Sequence, residues 1–246
     1  MKHKTILTAA VLTFNFQLST FNCFSQANLP GGGNALSFNG TSDMVDLPDN
    51  GKYDFSNQDF TVSCWFNLSS YFNNASKVCA LIPLISNDDY GWHIGISQAG
   101  YPWFGYYYNG TSGSVWLSSS SHIDLNTWHH VTAVFSATAS TISIYLDGVQ
   151  NQTAISNTNI YYGILDSPSI GAMTDCGGDN NFFQGYIDEL RIWNRALTQT
   201  EIRDNMCQKL TGSEAGLVGY WRFDETSGTT AYDSQTNVPP NNGTLK

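Results

Sequence analysis

Charged residues are scarce in this 246-residue chain, at 12%, and the basic ones scarcest, with 10 Lys and Arg against 20 Asp and Glu. The resulting formal charge of −10 argues against a nucleic-acid partner, whose phosphates call for a basic surface. Beyond the first residues no apolar run approaches the roughly 20 positions that a membrane-spanning helix takes. The five cysteines include no Cys-x-x-Cys spacing, which removes the usual zinc sites. There is no Gly-x-Ser-x-Gly elbow, no P-loop and no His-Glu-x-x-His, so the short motifs of hydrolases, nucleotide binders and metalloproteases are all missing. Strand-helix alternation of the kind that builds parallel sheets is missing too.

What is present is aromatic and turn-forming. Aromatics reach 14%, more than all charged residues together, and Gly, Ser, Thr and Asn are abundant. That composition suits short strands joined by tight turns. At the N-terminus, Lys2 and Lys4 precede the apolar run Ile6 to Phe16 and a small-x-small site at Ser25-Gln26-Ala27. This pattern predicts a signal peptide over 1–27 and a secreted or cell-surface protein, with lipid attachment at Cys23 as the alternative. Removal of the signal leaves Cys64, Cys79, Cys176 and Cys207, which allow three disulfide connectivities in an oxidising compartment.

Alternation of apolar and polar residues marks strands at Ala35 to Leu47 around an Asn39-Gly40 bend, at Phe60 to Leu68, and at Val78 to Ser86 and Gly91 to Ser97. Further strands follow at Trp103 to Tyr108, Gly113 to Leu117 and Asn126 to Phe135, and at Thr141 to Val149 with a turn at Asp147-Gly148. The stretch Phe183 to Ile202 predicts a strand, Ile187 to Ile192, followed by a short helix. Thr198 caps that helix and Glu201, three residues on, completes a capping box. Strands every eight to fifteen residues with a single helical turn predict an all-β sandwich.

Four segments then resemble the laminin-G-like jelly-roll family of the concanavalin A-like lectin and glucanase fold. They are ALSFNGTSDMVDL from Ala35, FTVSCWFNL from Phe60, NTWHHVTAVF with ISIYLDGV from Asn126, and FQGYIDELRIWNRALTQTEI from Phe183. The resemblance covers about 35–204 and implies a two-sheet antiparallel jelly-roll sandwich over 28–210. Residues 211–246, with GLVGYWRFDETSGTTAYD, look like the opening strand that such domains carry in front. Here the segment either completes the sandwich or begins a second repeat.

The resemblance also implies a calcium site that joins the Asn39-Gly40 bend and Asp43 to Asp188, with Asp179 as a further oxygen donor. It places the Trp128-His129-His130 stretch among structural segments. Hydrolases of the fold typically carry a Glu-x-Asp-x-x-Glu strand, which is absent, so the chain is expected not to be an enzyme. A sugar platform is expected in the aromatic run Tyr90, Trp92, Trp103, Tyr106, Tyr107, Tyr108 and Trp116, because C–H faces of sugar rings stack on such side chains. The chosen contacts are Tyr90, Trp92, Trp103 and Tyr107, with Asp88 and Asp89 accepting hydroxyl hydrogen bonds. Alternation places Trp103 and Tyr107 on one strand face and Phe104, Tyr106 and Tyr108 on the other, so one of the two sets faces a core. The expected function is a calcium-braced carbohydrate-binding or adhesion module. The alternative is a structural or protein-interaction module without glycan affinity, in which the partner is a cell-surface protein.

Overall fold

The computed structural model describes residues 33–71, 81–87, 91–108, 113–156, 160, 168–176 and 179–246. The signal-peptide expectation, with Cys23, lies outside them. Along the chain, β1 (Leu36–Asn39), β2 (Val45–Asp46) and β3 (Phe60–Leu68) precede β4 (Leu81–Asn87), β5 (Trp92–Ser97), β6 (Pro102–Tyr108) and β7 (Gly113–Ser118). Next come β8 (Trp128–Ser136), β9 (Thr141–Leu146) and β10 (Val149–Ile155), then the short β11 (Ser169–Ile170), β12 (Ala172–Cys176) and β13 (Asp179–Phe182). The long β14 (Gln184–Trp193) leads to α1 (Gln199–Met206), and β15 (Leu217–Trp221), β16 (Thr230–Ala231) and β17 (Gly243–Leu245) follow.

Two antiparallel sheets face each other across one core, the jelly-roll sandwich expected from the strand periodicity. The first runs β1-β14-β3-β8-β9-β10, and the second runs β16-β17-β2-β11-β4-β5-β6-β7. Strand β14 is long enough to carry two partners end to end on one side: Leu36 of β1 pairs with Ile187, and Trp221 of β15 pairs with Leu190. The C-terminal segment also enters the second sheet, where Thr244 of β17 pairs with Asp46 of β2. Leu217, Val218, Tyr220, Trp221 and Phe223 are buried, so this segment fills core volume as well as ladder positions.

The core is aromatic. Phe60 stacks between Phe55, at 4.7 Å between centroids, and Phe135, at 5.3 Å. Each such pair adds about 0.5–1.5 kcal/mol beyond the area it buries. Cys64 sits in this core on β3 as a free thiol, pushed well above the ordinary thiol range by burial and by the nearby Asp188. Cys64, Cys79, Cys176 and Cys207 therefore do not form two bridges.

A β-bulge sets the geometry of β14. Asp188 pairs with Trp65 and Arg191 with Ser63, so two β14 residues oppose Cys64, and Glu189 adopts φ = 51° to absorb the extra residue. The bulge re-phases the strand. Ile187, Leu190 and Ile192 then all join the inter-sheet core despite their three-then-two spacing. The helix behaves as its sequence predicts: the Thr198 hydroxyl accepts the Glu201 N–H at 3.3 Å, and the Glu201 carboxylate accepts the Thr198 N–H at 2.8 Å. It buries Ile202 beside Trp193, Leu197, Leu217 and Tyr220 on the outer side of the first sheet.

Candidate functional site

The outer sides of the two sheets differ. On the second sheet, successive strands place Ser86 of β4 opposite His93 of β5, His93 opposite Gly105 of β6, and Gly105 opposite Trp116 of β7. Residues two apart share a face, so Trp103, Tyr107, Ser114 and Ser118 stand on this same side, while Ile94, Phe104, Tyr106 and Leu117 turn into the core. Gly105 makes the arrangement possible. A Cβ there would lie 2.0 Å from Cε3 of Trp116, so the six-membered ring of the indole occupies the space that glycine leaves open.

The other side chains hold that indole in place. Its Nε1 donates to Ser114 Oγ at 2.7 Å. Trp103 lies 5.2 Å away at 58°, Tyr107 meets it edge-on at 5.6 Å, and His93 lies nearly parallel at 6.2 Å. His93 is itself anchored through Nδ1 to the Ser86 hydroxyl at 2.9 Å. Trp103 is covered by this cluster, at 2% exposure, whereas Trp116 keeps 43% of its surface in solvent. The result is an exposed indole, braced from several sides, on a sheet face bordered by serine hydroxyls.

The structure thus brings together Trp103 and Tyr107, as alternation predicts, but it removes Trp92 from the sugar platform. Trp92 precedes His93 by one position and therefore points the opposite way, fully buried against Phe60 with its Nε1 donating to the Tyr53 carbonyl at 3.1 Å. Tyr106, named in the same aromatic run, is likewise core. Tyr90, Asp88 and Asp89 lie outside the described residues. The residue the chosen set passes over is Trp116. Its signal is the alternation of β7, in which Ser114, Trp116 and Ser118 share one parity and Val115 and Leu117 the other.

The residues expected to hold calcium do not converge. The Asn39 bend is closed on itself: Asn39 Oδ1 accepts the N–H groups of Thr41, Ser42 and Asp43, and Asp43 accepts from the Asn39 backbone at 3.0 Å and from its amide at 2.6 Å. Gly40, at φ = 79°, allows the turn. Asn39 pairs with Gln184, so Asp188 lies four residues further along β14, roughly 13 Å away at the rise of a strand. Asp179 opens β13, and its side chain lies outside the described residues. Among the described residues no three His, Cys, Asp or Glu side chains come together as a metal cage.

Asp188 belongs instead to the buried outer side of the first sheet. Arg191 bonds Glu189 at 2.6 Å and the carbonyls of Asn205 and Gln208 at 2.7 and 2.5 Å, and Tyr220 donates to Glu189 at 2.5 Å. Trp65 Nε1 donates to the Met206 carbonyl at 2.7 Å. These bonds consume the carbonyls at the end of α1 and lock the helix to the sheet. Burial and then the adjacent Glu189 raise the Asp188 carboxyl to about 8, and burial lowers the His130 imidazole to about 3. Asp147, at the β9–β10 turn, accepts the His130 N–H at 2.8 Å and contacts His129 Nδ1 at 3.0 Å, which gives both histidines a place in the scaffold. The four glutamates are each tied locally: Glu189 to Arg191, Glu201 to the helix cap, Glu214 to Thr211 and Gly212, and Glu225 to the Tyr232 N–H.

Residues 39–203 match a laminin G family described as the concanavalin A-like lectin/glucanases superfamily. The chain belongs to that family. Among solved structures it is similar to a Bacteroides ovatus protein assigned to carbohydrate binding, with 17% identity and a TM-score of 0.67, covering 87% of this chain and 59% of that one. It is also similar to the CBM40 of the Ruminococcus gnavus IT-sialidase, solved bound to α2,3-sialyllactose, with 13% identity and a TM-score of 0.58, covering 71% of this chain and all of that one. A botulinum-like toxin of Enterococcus is 26% identical over 151 residues, which are 59% of this chain and 11% of the toxin. The chain therefore spans a minor part of that relative and under two thirds of the Bacteroides protein. At these identities the structural likenesses establish the fold. Among the described residues, no helix is long and apolar enough to cross a membrane.

Proposed function

We propose that this protein is an exported, non-catalytic carbohydrate-binding module whose ligand stacks on the outer side of the second sheet, centred on Trp116. The observation that carries this reading is the exposed indole held over Gly105 by Trp103, Tyr107 and His93. Such a platform offers an apolar surface to the C–H side of a pyranose while Ser114 and Ser118 supply hydroxyls around it. Export rests on the Lys2 to Ala27 pattern. Non-catalytic status rests on the absence of a Glu-x-Asp-x-x-Glu strand and on the four glutamates being committed to scaffold contacts. The carbohydrate-binding relatives agree with the reading. Calcium enters the proposal as a brace at the Asn39 to Asp43 bend, with the Gly40 carbonyl and Asp43 as donors and without Asp188. A melting temperature that rises with calcium and falls back with EDTA supports that part, and one indifferent to both removes it.

The test of the main reading is a glycan-array screen of wild type beside Trp116→Ala and Trp103→Ala. Wild type binds at least one glycan class, and Trp116→Ala weakens it tenfold or more with its circular dichroism unchanged. No binding to any glycan shifts the reading to a protein-interaction module on a cell surface.

A further inference from the structure

The distribution of cations suggests which sugars the platform takes. Between residues 54 and 190 the chain has a single Lys or Arg, Lys77, beside four histidines, against eleven Asp and Glu. That span supplies every strand of the aromatic side, β4 to β7. Lys77 lies outside the described residues. The described cations are Lys52 and those from Arg191 onward, and they are already engaged. Lys52, Arg195, Lys209, Arg222 and Lys246 make ion pairs with Asp or Glu, and Arg191 is buried against Glu189. Arg203 donates to the Gly148 carbonyl, beside the first sheet. Lys246 follows β17, five strands from β6 in the sheet order and so roughly 24 Å away at the usual strand spacing.

A carboxylate bound to protein is held by charge-assisted hydrogen bonds, most often a two-pronged contact from Arg, and a surface without such a partner leaves it desolvated and unpaired. The groups around Trp116 are the hydroxyls of Ser114 and Ser118, the Tyr107 phenol and the buried His93 imidazole, which Ser86 holds, with no Lys or Arg among the described ones. These complement sugar hydroxyls, which both donate and accept.

Resting on the carbohydrate-binding reading of this same site, we infer that its ligand is an uncharged oligosaccharide, and that acidic glycans, sialylated ones included, are discriminated against. The contrast with the sialyllactose-bound relative is therefore a difference of ligand class within one fold.

The experiment is isothermal titration of the whole chain with matched pairs, lactose-based neutral oligosaccharides against their α2,3- and α2,6-sialylated counterparts, at 50 and 300 mM NaCl. Wild type, Trp116→Ala and Lys77→Ala are compared. The neutral member of a pair is expected to bind at least tenfold more tightly, to lose tenfold or more in Trp116→Ala, and to be unaffected by Lys77→Ala or salt. A sialylated glycan that binds as well as or better than its neutral partner, and still depends on Trp116, overturns this inference and leaves the site standing. Binding to sialylated glycans that Lys77→Ala or salt abolishes also overturns it and identifies the cation responsible. If no member of any pair binds, and no glycan binds on the array, the site reading fails and the inference fails with it.

Discussion

The outer side of the first sheet is roofed by α1, whereas that of the second carries an indole 43% exposed to solvent. Both sides carry large aromatics and polar groups, yet they use them in opposite ways. Under α1, Glu189, Arg191, Tyr220 and Trp65 spend their hydrogen bonds on one another and on helix carbonyls, so little is left for a ligand. On β4 to β7 the polar groups are short serines and the buried His93, and the aromatics brace one exposed ring. Within one sandwich, then, a buried network fixes the scaffold on one side, while the other side carries an exposed ring that helix and network leave uncovered.

The largest test of this contrast removes the network's cation. Arg191→Ala leaves Glu189 buried and unpaired, and should cost about 3–5 kcal/mol in urea unfolding. A loss below about 1 kcal/mol would mean that the network is not what holds the roof. The pH dependence comes next. Asp188, raised to about 8, binds a proton in the fold that the unfolded chain releases near 4, so it makes stability fall as pH rises from about 4 to about 8. His130, lowered to about 3, makes stability rise from about 3 to the unfolded value near 6.5. The two trends oppose each other at acid pH, and only the Asp188 trend acts from about 6.5 to 8. Stability should drop there by on the order of 2 kcal/mol, and Asp188→Asn should remove the drop. A profile identical in wild type and Asp188→Asn contradicts the assignment.

On the open side the effects on stability shrink while those on binding grow. Gly105→Ala puts a methyl group where the Trp116 ring lies, so it should cost about 1–2 kcal/mol and weaken glycan binding tenfold. Trp116→Ala should cost the fold under about 1 kcal/mol, since the ring is largely solvated, and still lose the ligand. Retained binding in Gly105→Ala would show that the ring's seat on β6 is unimportant.

Much of the fold was legible in the sequence because strand periodicity and capping are local. The Thr198 to Glu201 box and the Asp147-Gly148 turn form as read, and Phe104 and Tyr106 fall on the core side while Trp103 and Tyr107 do not. Less of the site was legible. Trp92 matched the chemistry of a sugar platform but sits at the wrong parity, and parity is meaningful only once the strand's exposed side is known. Asp188 stood out as a calcium ligand through the family resemblance, whereas the bulge at Glu189 and the roof of α1 bury it against the first sheet. Trp116 gained its importance from Gly105 on the neighbouring strand, a juxtaposition set by register that no single segment shows.

A second aromatic pair supplies the control for the central claim. Trp128 and Tyr186, 6.4 Å apart on the first sheet's outer side at the register of Asn67, are the alternative surface on which a sugar could stack. Titration of the glycan that wild type binds into Trp116→Ala and Trp128→Ala separates the two surfaces. The account predicts at least tenfold weaker binding for Trp116→Ala and wild-type affinity for Trp128→Ala. The reverse result would place the recognition surface on the first sheet and contradict it.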